Sequence, residues 1–164
     1  TFRLKSKEIQ LSIQSCLVFF IAALILGLPS GFIRLSHSLP GVTAMAGTLL
    51  TIAFFIALPE EILFRGVIQN ALEQKWAHQA NGSNKALVAA SLLFGLAHAN
   101  NYNAPFLDWS LGSLGVWHFP WVYVLLAALA GVAYGWVFQK TRKVTAAALT
   151  HLLVDGTWAL FFNG

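Results

Sequence analysis

Residues 42–72 read VTAMAGTLLTIAFFIALPEEILFRGVIQNAL, and this stretch decides the fold. Its apolar part is long enough to cross a bilayer, because a transmembrane helix needs about 20 mainly apolar residues. The stretch continues through Pro59 into Glu60, Glu61 and Arg65, which are costly inside a membrane. We therefore expect a membrane-spanning helix whose charged side chains face a protected interior.

The composition of the whole chain agrees with a membrane protein. Of its 164 residues, 57% are hydrophobic and 10% are charged, and the mean hydropathy is +0.68. A soluble domain carries about 25% charged residues, so a water-soluble globular domain is excluded. The net charge of +4 does not indicate binding to nucleic acid, because the basic residues lie between apolar runs and act there as topology signals.

Five apolar runs predict five transmembrane helices. They cover residues 11–28, 42–72, 86–99, 121–138 and 144–162. The first run follows basic residues, as the core of a signal peptide does. It is longer than such a core and has no small-residue cleavage site, so we expect a retained span. The third run is short for a full crossing unless its polar end lies inside the protein.

Because the sequence starts at Thr1 rather than Met, we expect a piece of a longer chain.

The distribution of Lys and Arg orients the spans. With the N-terminus in the cytoplasm, eight of these residues fall on the cytoplasmic side and only Arg34 falls on the other side. This is a strong positive-inside pattern. We therefore expect a multi-pass protein of the cytoplasmic (inner) membrane with a cytoplasmic N-terminus. Tryptophans in or beside the connection of residues 100–120 lie where a membrane interface is expected, namely Trp109, Trp117 and Trp121.

Six ionisable residues within the apolar segments are the candidates for chemistry: Glu60, Glu61, Arg65, His98, His151 and Asp155. Each costs roughly 2.5–3.5 kcal/mol at membrane depth, so such groups usually face a bundle interior or a wet cavity. Glu61 and Arg65 are four residues apart on one helical face, which predicts a structural ion pair. Glu60 points elsewhere and has no cation of its own on that helix, which leaves it as the free carboxylate.

The spacing of the histidines allows a shared site. His98 follows Phe94 by four residues and Asp155 follows His151 by four, so each pair lies on one helical face. At a rise of about 1.5 Å per residue, Glu60, His98 and His151 lie at overlapping depths in the membrane. We therefore expect these residues to converge.

Two backbone features predict how the helices pack. Pro59 lacks an amide donor and frees the carbonyl of Phe55, a defect tolerated in a membrane only where neighbours or water satisfy it. This favours a local cavity near Glu60. Gly131 and Gly135 form a small-xxx-small pair, which predicts close helix packing.

Three motifs in this order resemble those of the CPBP family of intramembrane glutamic endopeptidases, the CAAX protease, Abi and bacteriocin-processing family: Glu60-Glu61-x-x-x-Arg65, Phe94-x-x-x-His98 and His151-x-x-x-Asp155. The family is related to the type II CAAX prenyl endopeptidase. The resemblance implies an all-α polytopic membrane helix bundle with about five transmembrane helices and a four-helix catalytic core. It divides the chain into residues 1–41, an N-terminal tail, accessory transmembrane helix and connection, and residues 42–164, the protease core.

The resemblance implies a peptidase that cleaves a membrane-associated protein or peptide. By motif position it implies four catalytic and three structural or orienting residues: Glu60, His98, His151 and Asp155, and then Glu61, Arg65 and Phe94. Glu60 would be the general base that activates water with help from His98, while His151 and Asp155 would bind the oxyanion. The implied partners are the substrate and the lipid bilayer, without nucleic acid and without a cofactor.

Asp155 departs from one branch of the family. Eukaryotic prenyl-protein proteases of this family carry Asn at that position, so the resemblance leaves the substrate open among prenylated proteins, bacteriocin precursors and other membrane peptides. An ionised Asp cannot donate a hydrogen bond to an oxyanion. We therefore expect Asp155 to orient His151 or to be protonated.

Two other interpretations stay open. Glu60, His98 and His151 are a chemically adequate set of Zn²⁺ ligands with water in the fourth position, although no His-Glu-x-x-His motif is present. A catalytically inactive membrane immunity or scaffold protein would retain the same polar core for stability. A proton-coupled carrier is disfavoured, because the sequence has no inverted repeat.

Overall fold

The computed structural model describes residues 3–36, 39–101, 105–110 and 112–163. Within this part of the chain the main helices are α1 Ser6–Gly27, α2 Val42–Lys75, α3 Gly82–Ala97, α4 Trp121–Thr141 and α5 Val144–Phe161. All but α3 are long and apolar enough to cross a membrane, and α3 has 16 residues. The predicted class, an all-α polytopic membrane bundle, is confirmed.

The helices begin and end close to the predicted runs, and local capping explains the differences. α1 begins at Ser6 because the backbone N–H of Lys5 donates to the Glu8 carboxylate at 2.8 Å, which satisfies an amide before the first turn. α3 begins at Gly82, directly after Asn81 in the left-handed conformation at φ 59°. α3 therefore begins before the predicted run, which starts at Ala86.

α2 continues through Pro59 as one helix of 34 residues with two π-helical segments, Ile52–Ala57 and Ile62–Gln69. Proline removes one helical hydrogen bond. The wider π turn before it absorbs this defect, and there the N–H of Leu58 donates to the carbonyl of Ala53, five residues back. The two adjacent glutamates lie in the turn between the π segments, a kind of distortion that is frequent at functional sites.

α4 packs closely against α2 and α3 through its small residues. A Cβ added at Gly131 would lie 3.1 Å from the Cα of Ser91, so this glycine lets the two backbones approach. The carbonyls exposed on this face are used as acceptors. Arg65 donates to the Gly131 oxygen at 3.2 Å, and Gln69 donates to the Gly135 oxygen at 3.2 Å. The second donor and the second acceptor each lie four residues after the first, in the same order along both helices. α2 and α4 therefore run parallel.

Two short antiparallel sheets, which were not predicted, lie in the connections. β1 Arg34–Leu35 pairs with β4 Phe162–Asn163 and ties the connection between α1 and α2 to the end of α5. β2 Leu107–Ser110 pairs with β3 Val116–Phe119 and forms a hairpin between α3 and α4.

Polar contacts close one end of the bundle, which we call the basic end: the start of α1, the α2–α3 connection and the α4–α5 connection. Arg142 ends α4 in the left-handed conformation at φ 56° and donates to Glu73 and to Asn70 near the end of α2. Lys143 forms an ion pair with Glu8 of α1 at 2.8 Å. These contacts hold α1 and α2 against the turn between α4 and α5.

Candidate active site

A cavity of about 600 Å³ lies between the helices on the other side of this closure. Aromatic and aliphatic side chains form most of its wall. Its ionisable lining residues are Glu60, His98, Tyr123, Tyr134, His151 and Asp155. The four residues predicted as catalytic therefore line a single cavity, although they come from three helices.

Glu60 lines this cavity and has one unsatisfied carboxylate oxygen. Its side chain is half-buried, and Oε2 is inaccessible and has no hydrogen-bond partner among the described residues. A buried polar atom without a partner is costly and needs an explanation, such as a bound water or substrate. The carboxylate of Glu60 has no fixed partner in the described part of the chain and is therefore free to hold a water molecule where the side chain meets the cavity.

Glu61, the next residue, has a different environment. Its Oε2 lies 3.0 Å from Nε of Arg65, and both side chains are fully buried. The guanidinium also donates to the Gly131 carbonyl and lies 5.0 Å from the ring centroid of Phe94 and 5.6 Å from that of Tyr134. Rings at these distances attract a cation through their faces. Arg65 thus connects α2 with α3 and α4.

His151 is held by two carboxylates. Its Nδ1 lies 3.1 Å from Oε1 of Glu61, and its Nε2 lies 3.2 Å from Oδ2 of Asp155. An ionised carboxylate can only accept, so each bond requires a proton on the ring nitrogen, as in an imidazolium. The ring of Tyr134 stacks on the imidazole with centroids 4.5 Å apart and planes at 15°. His151 is therefore fixed in position and in ring orientation.

His98 follows the last residue of α3. Its Nδ1 lies 2.8 Å from the Phe94 carbonyl oxygen, and because that oxygen can only accept, Nδ1 carries the proton. In the neutral ring Nε2 then has a lone pair. Phe94 and Tyr123 flank the ring at centroid distances of 4.9 and 5.5 Å. The His98 ring thus packs at the cavity and is half-buried, whereas Leu96 and Asn100 beside it are exposed.

Sequence reasoning missed three features of this site. It paired Glu61 with Arg65 but did not anticipate the bond from His151 to Glu61. It also did not predict that α4 contributes Tyr123 and Tyr134 to the cavity wall. A signal for the tyrosines was present, because they are eleven residues apart, about three helical turns, and so share one face of an otherwise apolar helix.

The described side chains do not form a three-ligand metal site. Among the described ranges, no group of three or more His, Cys, Asp or Glu residues is arranged to hold a metal ion. Both ring nitrogens of His151 already face carboxylates, and Nδ1 of His98 faces a carbonyl. A set of ligands made of Glu60, His98 and His151 would need the His151 contacts to rearrange, whereas Nε2 of His98 is available as a ligand.

The cavity extends away from the basic end. Its outer wall includes Phe32 after α1, Thr48 early in α2, Tyr123 at the start of α4 and Trp158 near the end of α5. All four lie at the end of the bundle opposite the α2–α3 and α4–α5 connections. On that side no residue of Val42–Thr51 is buried. The surface of α2 beside the cavity is therefore exposed.

Comparison with known proteins gives one match. A family model described as type II CAAX prenyl endopeptidase Rce1-like matches residues 41–157. The matched range is more than half of the chain and includes all seven predicted site residues, whereas α1 lies outside it. No curated protein and no solved structure matches the chain.

Proposed function

The chain belongs to the Rce1-like family of type II CAAX prenyl endopeptidases, and from this premise we propose that it is an intramembrane endopeptidase in which Glu60 activates water. The observation that carries the proposal is the unpartnered, buried Oε2 of Glu60 beside a cavity lined by two histidines and Asp155. The substrate is a membrane-associated protein or peptide whose scissile bond reaches this cavity.

Glu60 acts as the general base. A water held at its carboxylate gives a proton to that group while the water oxygen forms a bond to the peptide carbonyl carbon. That proton passes to the departing amine when the C–N bond breaks. Proton transfer by a positioned side chain contributes roughly 10²–10⁴-fold to a rate. His98 orients the same water, because the lone pair on its Nε2 accepts the second hydrogen.

His151 stabilises the developing oxyanion. With both ring nitrogens protonated it is a cation at the cavity wall, held there by Glu61 and Asp155. Asp155 is therefore a positioning residue for the imidazole. The Tyr123 hydroxyl, which shares the cavity, supplies a neutral donor. One preorganised donor to an oxyanion is worth about 2.7–4 kcal/mol of transition-state stabilisation.

The neighbouring glutamates have separate roles because their surroundings differ. Glu61 is neutralised by Arg65 and accepts from His151, so it holds the site together. Glu60 lacks such a partner and meets the cavity directly. Two carboxylates in unlike environments are a common arrangement in enzymes that use one of them for proton transfer.

The orientation in the membrane determines where the substrate enters. We propose a cytoplasmic membrane location in which the basic end faces the cytoplasm, and the distribution of Lys and Arg supports this orientation. The cavity then extends toward the opposite membrane face, and the exposed first part of α2 provides a lateral route from lipid. A lipid-embedded peptide reaches the site without passing the polar closure at the basic end.

The proposal is tested with the purified protein in vesicles that contain candidate membrane peptides. Mass spectrometry reads the cleavage products of the native chain, of Glu60→Gln, and of Asp108→Asn as a control carboxylate outside the cavity. We expect cleavage by the native chain and the control and none by Glu60→Gln. If Glu60→Gln cleaves as the native chain does, Glu60 is not the base. If the protein is an inactive scaffold, no sample shows specific cleavage. In cells, the Glu60→Gln variant then keeps the role of the native chain.

The zinc mechanism is separated by a chelator in the same vesicles. We expect cleavage to continue after treatment with a strong chelator, because the proposed reaction uses only side chains and water. Loss of cleavage that added Zn²⁺ restores would instead establish metal catalysis.

A further inference from the structure

The β2–β3 hairpin has two chemically distinct faces. Residues on paired strands alternate between the faces of a sheet, and the cross-strand register fixes which side chains share a face. We call one side the aromatic face, formed by Leu107, Trp109, Trp117 and Phe119. The opposite side, the polar face, consists of Asp108, Ser110, Val116 and His118.

The aromatic face is a packed but uncovered apolar surface. The ring of Trp109 lies 5.3 Å from that of Trp117 and is stacked at 5.8 Å on that of Phe119. Leu107 and Trp109 nevertheless remain 47% and 51% exposed. The β2 side of this face is therefore exposed, whereas Trp117 and Phe119 on β3 are half-buried.

The polar face is suited to contact with water. Nδ1 of His118 lies 2.8 Å from Oδ1 of Asp108, and the two side chains are 56% and 62% exposed. Two exposed polar side chains of this kind are well accommodated in water and costly to place in lipid. The two sides of this hairpin thus require different environments.

The β3 strand of the aromatic face leads directly into α4, which has exposed apolar side chains at its start. Phe119 is followed by one residue and then by α4, where Trp121 and Leu125 are 38% and 39% exposed. In the described part of the chain the two strands have most of their tertiary contacts with each other, so the hairpin stands at the bundle's edge. Tryptophan is enriched where a membrane protein meets the headgroup layer.

We propose that the aromatic face of the β2–β3 hairpin docks on the lipid bilayer at headgroup level while the polar face remains in water. The hairpin leaves the bundle after His98 and returns before Tyr123, and these two rings are in contact at the cavity. The docked hairpin therefore lies beside the cavity, at the membrane interface.

The chain offers a matched pair of positions for a test. Leu107 on the aromatic face and Val116 on the polar face are both aliphatic, and they are 47% and 53% exposed. After the buried Cys16 is replaced by Ser, Leu107→Cys and Val116→Cys each carry a nitroxide label in vesicles. Relaxation by oxygen, which partitions into lipid, is compared with relaxation by a water-soluble nickel chelate.

We expect the ratio of oxygen to nickel accessibility to be several-fold higher at position 107 than at position 116. Equal ratios would overturn the proposal. Protection of position 107 from both reagents would also overturn it, because that result indicates a protein contact such as a second copy of the chain.

A second measurement needs no substitution. Lipids carrying a photoactivatable group near the headgroup are reacted with the native protein in vesicles, and the adducts are mapped by mass spectrometry. We expect adducts at Leu107 and Trp109, with Trp121 as the positive control on α4. Adducts at Trp121 with none at Leu107 or Trp109 would contradict the proposal. Neither measurement depends on catalysis, so failure here leaves the proposed function to be judged separately.

Discussion

The two adjacent glutamates provide the most specific prediction. Replacement by Gln should lower the stability of the protein at position 61 but leave it almost unchanged at position 60. Glu61→Gln leaves the fully buried guanidinium of Arg65 without its counterion. Removing one partner of a buried pair costs about 3–5 kcal/mol. Arg65 keeps its bond to the Gly131 carbonyl and its contact with the Phe94 ring, so we expect a loss near the lower limit, about 3 kcal/mol in the free energy of unfolding.

Glu60→Gln should leave stability almost unchanged. The buried Oε2 of Glu60 has no hydrogen-bond partner among the described residues, so the substitution breaks no contact there. Substitutions away from such contacts usually change the free energy of unfolding by less than about 0.5 kcal/mol. Glu60→Gln thus separates loss of chemistry from loss of structure.

Both values are measured by titration with a denaturing detergent in mixed micelles, with helix content followed by circular dichroism. The double variant Glu61→Gln/Arg65→Met should recover much of the loss, because it also removes the buried guanidinium whose uncompensated charge causes that loss. The reasoning is refuted if Glu61→Gln is as stable as the native chain, or if Glu60→Gln is destabilised to the same extent.

Three further predictions concern packing, access and catalysis. Gly131→Ala should lower the free energy of unfolding by about 1–3 kcal/mol in the same titration, because its Cβ meets the α3 backbone, whereas Gly47→Ala, which meets nothing within 4 Å, should not destabilise. A membrane-impermeant thiol reagent should label Lys85→Cys from the cytoplasmic face and Thr48→Cys from the opposite face, and the reverse pattern, or labelling of both from one face, would refute the proposed orientation. Tyr123→Phe should lower kcat about 10²–10³-fold with little change in KM, as expected for an oxyanion donor, and an unchanged kcat would exclude that role.

The helical architecture was predictable because membranes constrain it strongly. Runs of apolar residues long enough to span lipid are visible in a single sequence, and the positions of α1, α2, α4 and α5 follow from them. The Glu61–Arg65 pair lies within one helix, so helical geometry alone brings its members together. The glycine pair on α4 likewise predicts close packing from its spacing.

The contacts between helices were not predictable from this one sequence. The bond from His151 to Glu61 joins residues 90 positions apart, and the stacking of Tyr134 on His151 depends on how α4 and α5 are placed. No local propensity encodes either contact. The hairpin was also missed, because its strands are only four residues long and its sequence lacks a two-residue turn signal such as Asn-Gly.

The central claim is that Glu60 activates the water that cleaves a membrane peptide. The most direct measurement compares, by mass spectrometry, the membrane peptides of cells that make the native chain, cells that make Glu60→Gln at equal abundance, and cells that lack the protein. We predict a set of peptides with new termini in the first sample and its absence from the other two. The same new termini in cells that make only Glu60→Gln would contradict the claim.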